Sequence, residues 1–331
     1  MTWSPTLASV EPFVGEVVDR FGLGARPEVA VSAMIGSTNR LWRFEVRGAA
    51  YVVKELSHDT VDKIERRRNA AAFEQAVFDV GRVVMAEPLF DRDGEIVTLV
   101  TGTRGAPTLV RVHRWMSGQP PLAISPALAG AAGVTLRVIQ EHGRRWSSEP
   151  AGSLRYWDQD PRAVIDRLPG TSLEDVAGQA TALIASALDV ISDAESAPGP
   201  WIYSHSDHKP QNSLIGPRGL LVLDWDECGH WPPRLEAVES ALRWSVAADD
   251  AASAFRAFLE GHGQVGAVDE RDFGKWLAAL LGWFAFQARR ALGEWSTLTA
   301  FERQEAAGMA RDTIVELEHT LRSLARWSSW S

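Results

Sequence analysis

The sequence predicts an α+β chain of two lobes: a small antiparallel sheet carrying one long helix, then a larger and mainly helical part. Three observations predict it. Short apolar runs separated by turn residues crowd the stretch before Trp115, the pattern of hairpin-linked strands. The segment Met116-Ser117-Gly118-Gln119-Pro120-Pro121 then breaks all periodicity. Past it, apolar residues recur at three- and four-residue spacing over long segments, which marks helices. An N-terminal lobe is therefore expected over residues 1–116 and a C-terminal lobe over 117–331.

The chain opens on an amphipathic helix, because Leu7, Val10, Phe13, Val14, Val17, Val18 and Phe21 share one helical face. Strands are expected over 29–35, 41–46 and 49–56, with Gly36-Ser37-Thr38-Asn39-Arg40 turning between the first two. A helix over 60–80 stops at Gly81, where glycine can close a helix in the left-handed conformation. Strands over 96–100 and 109–115 follow, joined by a turn at 102–107. After the break, helical spacing spans 126–142, 172–193, 236–260, 272–292 and 299–327. A strand–loop–strand interrupts these helices between Tyr203 and Asp226.

With 331 residues, 45% hydrophobic and 23% charged, the composition is that of a globular protein with sizeable cores. No apolar run is long enough to span a membrane, and the N-terminus lacks the basic start and apolar core of a signal peptide, so a cytoplasmic protein is expected. The lone Cys228 excludes an internal disulfide. A net charge of −9 argues against nucleic acid as a partner. Only four of the 34 basic residues are lysines: Lys54, Lys63, Lys209 and Lys275. A compact ammonium placed in a chain that otherwise uses arginine marks positions where the planar guanidinium does not serve.

The most informative stretch reads Tyr203 to Asp226. It holds His205-x-Asp207, then Asn212, then Asp224 after the apolar run 219–223. Phosphoryl transfer from a nucleotide needs these groups: one carboxylate to orient the acceptor hydroxyl, then an amide oxygen and a second carboxylate to hold magnesium. A rival is zinc chemistry, since Tyr203-Ser204-His205-Ser206-Asp207-His208 falls one histidine short of a His-x-His-x-Asp-His site. Tyr203 stands where the first histidine belongs, and only His230, His262 and His319 follow. A lone His-x-Asp in a loop is ordinarily a turn; four spaced positions followed by a strand-borne aspartate are not.

The pattern His-x-Asp-x-x-x-x-Asn, then Asp, resembles the catalytic and metal loops of the protein-kinase-like superfamily, most closely its aminoglycoside phosphotransferase and choline kinase branch. The resemblance covers roughly residues 28–245 and implies a bilobal protein-kinase-like fold. It implies Asp207 as the base or hydroxyl-orienting residue, with His205 fixing the loop. Lys209 stands in Asp-x-Lys-Pro-x-Asn, the protein Ser/Thr kinase version of this loop, in which the lysine helps neutralise the transferred phosphate; the small-molecule branch often has histidine and proline there instead. Asn212 and Asp224 become magnesium ligands, and Asp226 a further metal or acceptor residue if the strand runs on through Trp225. Absence of Asp-Phe-Gly, Ala-Pro-Glu and a long activation segment speaks against a protein kinase.

On the nucleotide side the resemblance puts Gly36, Ser37 and Asn39 in the turn over the phosphates, though a Gly-Ser-Thr-Asn turn alone is simply a hairpin. It makes Lys54 the strand lysine that bridges phosphates and a helix glutamate. Glu74, fourteen residues before Pro88, fits that glutamate better than Glu65, which adjoins the charged face Arg66-Arg67-Arg68. His113 and Trp115 mark the hinge against which adenine would lie. The implied activity is an ATP- or GTP-dependent, magnesium-requiring O-phosphotransferase. Its acceptor would be a small molecule, expected to bear an amine: an aminoglycoside or other antibiotic, an amino sugar or an amino alcohol. Acceptor-side carboxylate candidates are Asp158, Asp160, Glu227, Glu236 and Glu239. Eight of the fourteen tryptophans follow residue 220, mostly as core, with some lining the acceptor pocket. The alternative function is a catalytically silent, nucleotide-binding regulator of the same fold.

Overall fold

The computed structural model describes residues 7–24, 32–35, 39–56, 64–146, 153–155, 160–196, 199–263, 266–295 and 298–331. Helix α1 (Leu7–Arg20) precedes the strands β1 (Ser32–Ile35), β2 (Arg40–Val46) and β3 (Ala49–Leu56). Helix α2 (Ile64–Val80) ends at Gly81, whose φ of 69° is left-handed as expected of a closing glycine. Strands β4 (Val84–Met85), β5 (Thr98–Thr101) and β6 (Pro107–Arg114) complete the first half. The sheet runs β1-β2-β3-β6-β5, antiparallel at every pairing.

Both faces of this sheet are covered. Val10, Phe13, Val14, Val17, Val18 and Phe21 of the α1 segment form one core with Trp42, Phe44, Val53, Val110 and Val112. On the other side Ala71 of α2 packs with Leu56, Ile96, Val97 and Leu109. The neighbouring face of α2, through Ala70, Phe73 and Val77, packs instead on Tyr203, Val222 and Trp225. Helix α2 thereby ties the sheet to the stretch from Tyr203 to Trp225.

After a linker, α3 (Pro126–Gly143), α4 (Pro161–Ile165) and α5 (Glu174–Ser196) precede β7 (Ile202–Ser204), β8 (Ser213–Gly216), β9 (Gly219–Val222) and β10 (Gly229–Trp231). The chain closes with α6 (Pro233–Ser245), α7 (Ala251–His262), α8 (Gly274–Ala291) and α9 (Ala300–Ser328). In the linker, Gln119 exchanges two backbone hydrogen bonds with Ile215 (3.0 and 2.8 Å), which pins the crossing between the halves to the β8–β9 hairpin. Strand β9 pairs antiparallel with β8 and parallel with the short β4. The C-terminus of α3 lies directly on β7, since a Cβ at Gly143 would overlap the Tyr203 carbonyl.

Two expectations change. The single helix over 236–260 is two helices, because Asp250 caps α7 by accepting from Ser253 N–H at 3.0 Å. The strand carrying Asp224 does not run on through Trp225. It ends at Val222, Asp224 adopts a left-handed conformation (φ 64°, ψ 63°), and a 3-10 turn spans Trp225–Glu227. That turn, rather than strand alternation, directs Asp226.

Candidate active site

The loop after β7 is held from beneath. His205 is fully buried; its Nδ1 accepts from Asp207 N–H (3.3 Å), so Nε2 carries the proton and donates to the Leu223 carbonyl at 3.0 Å. Burial lowers its pKa, with Asp207 and Glu236 opposing. His208 likewise bonds the Ala132 carbonyl at 3.1 Å and is pushed down to about 3, chiefly by burial. Neither histidine faces a metal position, which removes the basis for the zinc reading. Ser206 adopts a positive φ of 72°. Its N–H donates to Glu236 Oε1 at 2.7 Å, and Gln140 donates to the other oxygen of Glu236 at 2.9 Å. Glu236 is therefore a buried brace of the loop and not an acceptor-side carboxylate.

Asp207 follows with its side chain 24% exposed. Lys209 Nζ lies 2.7 Å from Oδ2, Asn212 Nδ2 donates to the same oxygen at 2.7 Å, and Arg243 of α6 lies 3.6 Å from Oδ1. Burial pushes the Asp207 pKa up, but Arg243 and then Lys209 outweigh it, and the net shift is downward. Since the Asn212 amide nitrogen is engaged by Asp207, its carbonyl oxygen is the atom left to face a cation. The Leu223 N–H bonds the Asn212 backbone carbonyl at 2.9 Å, leaving the side-chain oxygen free, and fixes the approach of Asp224 to this loop.

The nucleotide side departs from expectation. Lys54 does not meet Glu74. Its ammonium bonds Asp224 Oδ1 at 2.6 Å and also Asp226. Glu74 is taken by Arg111 of β6 and by His113, the latter at 3.1 Å. The cause is register: Arg111 stands directly opposite Lys54 across β3 and β6, giving the sheet two cations side by side. Arg111 also bonds Asp226 at 2.5 Å. Asp226 is buried, and Lys54, Arg111 and Arg67 together hold it well below the usual carboxylate range against the opposing effect of burial. His113 is pushed down to about 3 by burial and then by Arg111, so the Glu74–Arg111 contact is the ionic one.

The remaining positions sort as follows. Gly36 and Ser37 lie outside the described residues, as do Lys63 and Asp158; Asn39 lies just before β2, half-buried. Glu65 is exposed and pairs with Arg68 at 3.1 Å. Of its neighbours, Arg66 is exposed and Arg67 buried, and both grip Glu227, at 2.6 and 2.8 Å. Asp160 caps α4, and Glu239 is buried against Lys275 and Arg243. His113 bonds Glu74 on the sheet face that carries Lys54 and Arg111, and Arg43 stacks over the Trp115 ring at 5.1 Å. Met116 and Ser117 instead line a cavity of ≈ 240 Å³ with Val84, Gly216, Pro217, Arg218 and Leu221. Trp225, Trp231, Trp244, Trp276 and Trp327 are buried. Sequence reasoning missed Arg111, Arg243 and the bracing role of Glu236. The available signal for Arg111 was a charge in the middle of the apolar run Leu109-Val110-Arg111-Val112.

Among the described residues, no three His, Cys, Asp or Glu side chains converge on a metal position. An amide oxygen from Asn212 and a carboxylate from Asp224 remain a fitting pair for magnesium, which takes few protein ligands and hard oxygens.

The fold that carries these residues recurs in solved structures. A spectinomycin phosphotransferase bound to ADP and spectinomycin superposes with a TM-score of 0.67 at 13% identity, over 95% of this chain and 98% of that one. A Plasmodium vivax ethanolamine kinase gives 0.63 at 10% identity, over 94% and 90% of the two chains. A microcompartment-associated aminopropanol kinase gives 0.59 at 18% identity, over 91% and 94%. No curated protein matches the chain in sequence. At these identities the likeness is one of fold, the bilobal protein-kinase-like fold. The phosphotransferase enzyme family, by contrast, matches the sequence itself over residues 34–277, and the chain belongs to that family of small-molecule kinases.

Proposed function

We propose that the protein transfers the terminal phosphoryl group of ATP, or of GTP as alternative donor, to a hydroxyl of a small amine-bearing molecule. Aminoglycosides or other antibiotics, amino sugars and amino alcohols are the acceptor classes that fit. The observation that carries this reading is the meeting of Asp207, Asn212, Asp224 and Lys54 in one cleft. Lys54 reaches Asp224 at 2.6 Å, and Asn212 reaches Asp207 at 2.7 Å.

Asp207 is ionised at neutral pH, its carboxylate stabilised by Arg243 and Lys209 against burial. A lowered pKa makes it a weak base toward a resting alcohol. Its part is to orient the acceptor O–H and to take the proton as the new P–O bond forms and the bond to the nucleoside diphosphate breaks. Lys209 lies beside the path of the transferred group. Lys54 exchanges Asp224 for nucleotide phosphate oxygens, which frees that carboxylate. Asn212 Oδ1 and Asp224 would hold magnesium, which would supply positive charge against the phosphate oxygens. Asn39, just before β2, faces the phosphates in this reading, and the base lies along the hinge at Met116 and Ser117.

The amine rests on two supports. Spectinomycin, ethanolamine and aminopropanol, named for the structurally similar kinases, all carry amino groups. Glu316 of α9 is an exposed carboxylate whose pKa is raised by burial around it, with Arg243, the residue 3.6 Å from Asp207 Oδ1, and His319 opposing.

Asp207→Asn should lower kcat by roughly 10²–10⁴-fold with nucleotide affinity unchanged. Near-normal turnover in this variant would overturn the assignment, and a native protein that binds nucleotide without turning over any aminated or neutral alcohol would be the silent regulator. Glu316→Gln should raise KM for an aminated acceptor by up to about fivefold, the value of a solvent-exposed ion pair, and leave KM for its neutral analogue alone. Equal changes for both acceptors would leave a plain sugar or alcohol kinase.

A further inference from the structure

Among the described residues, Lys275 is the lysine that no part of the proposed reaction uses, and it is placed where a lysine needs a reason. It sits on α8 with its side chain 2% exposed. A buried ammonium must be paired and hydrogen-bonded to persist. Here Nζ donates to the Ser206 carbonyl at 2.7 Å, pairs with Glu239 of α6, and stands 4.6 Å from the Trp231 ring centroid. Glu239 in turn lies 3.5 Å from Arg243, whose guanidinium stacks on Trp276 at 4.8 Å and reaches Asp207 Oδ1.

The backbone these groups hold is strained. A φ of 72° at Ser206 is a left-handed conformation that glycine adopts freely and serine does not. Such a residue persists only where its surroundings over-determine it. Both of its peptide groups are clamped: the N–H by Glu236 and the carbonyl by Lys275. The next residue is Asp207. If Ser206 relaxed to negative φ, the Asp207 carboxylate would swing away from Asn212 and Lys209.

We propose that Lys275 is a positioning residue of the phosphotransfer site, whose ammonium holds Ser206 left-handed and so aims Asp207, with Glu239 and Arg243 completing the support. It acts through the backbone of Ser206 and touches no reacting atom. The inference rests on the reading of Asp207 given above.

The test is a cycle between positions 275 and 206, read as kcat and nucleotide KM with Mg-ATP and an accepted alcohol. Lys275→Met keeps the length of the side chain and removes the charge. Lys275→Met/Glu239→Gln removes the buried carboxylate as well, so that a folded protein remains to be assayed even if the single variant is unstable. The double variant should lose kcat by about 10²-fold, the effect of misplacing a reacting group by about 1 Å, with nucleotide KM unchanged. In a Ser206→Gly background, where the left-handed conformation carries no strain, the same change should cost less than about tenfold. A purely structural role would lower stability equally in both backgrounds and leave kcat per folded molecule alone; that result, or an equal kcat loss in both backgrounds, overturns the proposal. Asp207→Asn run alongside separates the two readings. If it is inactive while the Lys275 variants are not, only the positioning role fails; if it is active, the role of Asp207 fails first.

Discussion

Lys54 joins two groups of carboxylates that differ in what surrounds them. On one side stand Asp207 and Asp224, with side chains 24% and 39% exposed. On the other, Glu74 and Asp226 are 3% and 4% exposed and share Arg111, itself 1% exposed. The same residue type lies two positions apart, at 224 and 226, and does different things. A buried carboxylate must be neutralised when the chain folds, because an unpaired charge there costs several kcal/mol. Its partners are then not for exchange. An exposed carboxylate can trade an ammonium for a metal ion or a phosphate-bound cation at little cost. Burial thus divides the cluster into a fixed knot that aligns α2 with the sheet and an open pair available to substrate in the proposed reaction.

The strongest way to break this comparison is at Asp224. Asp224→Ala should abolish magnesium-dependent nucleotide binding, because the triphosphate loses the carboxylate that holds its metal. Stability should fall by no more than about 1 kcal/mol, since the Lys54–Asp224 pair is partly solvated and Lys54 keeps Asp226. Titration calorimetry with Mg-ATP, beside a urea melt, measures both. Unchanged Mg-ATP affinity would assign the metal to another ligand; a large loss of stability would place Asp224 in the knot.

The two groups were also unequally legible. The open pair could be read because its residues lie within one segment, Asp207 to Asp224, and spacing along a loop survives in sequence. The sheet lobe and most helices were readable for a related reason: their signals are local periodicities and caps, such as Thr299 accepting from Glu302 N–H at the start of α9. The knot could not be read. Arg111 meets Lys54 only through the β3–β6 register and meets Glu74 only once α2 has packed, both long-range outcomes. Strand logic also sent Asp226 toward the metal, whereas the left-handed turn at Asp224 carries it under Lys54. Glu236, Glu239 and Lys275 were invisible as a group because Lys275 lies 36 residues beyond Glu239, past α7, and only the packing of α6 against α8 unites them.

A smaller but more discriminating effect is expected at Arg111. Arg111→Met removes the cation from between two buried carboxylates and leaves Glu74 with a neutral histidine, since His113 is pushed down to about 3 and stays uncharged at neutral pH. Breaking a buried pair from one side costs about 3–5 kcal/mol. The loss should appear as a shifted urea midpoint at unchanged slope. Asp226 retains Lys54, so most of the loss belongs to Glu74. Adding Glu74→Gln, which removes the stranded charge and keeps the shape, should therefore restore more than half of the stability, whereas adding Asp226→Asn should restore less. Activity per folded molecule should change far less than at Asp224. If Arg111→Met is stable but inactive, Arg111 belongs with the open pair, and the division by burial is wrong.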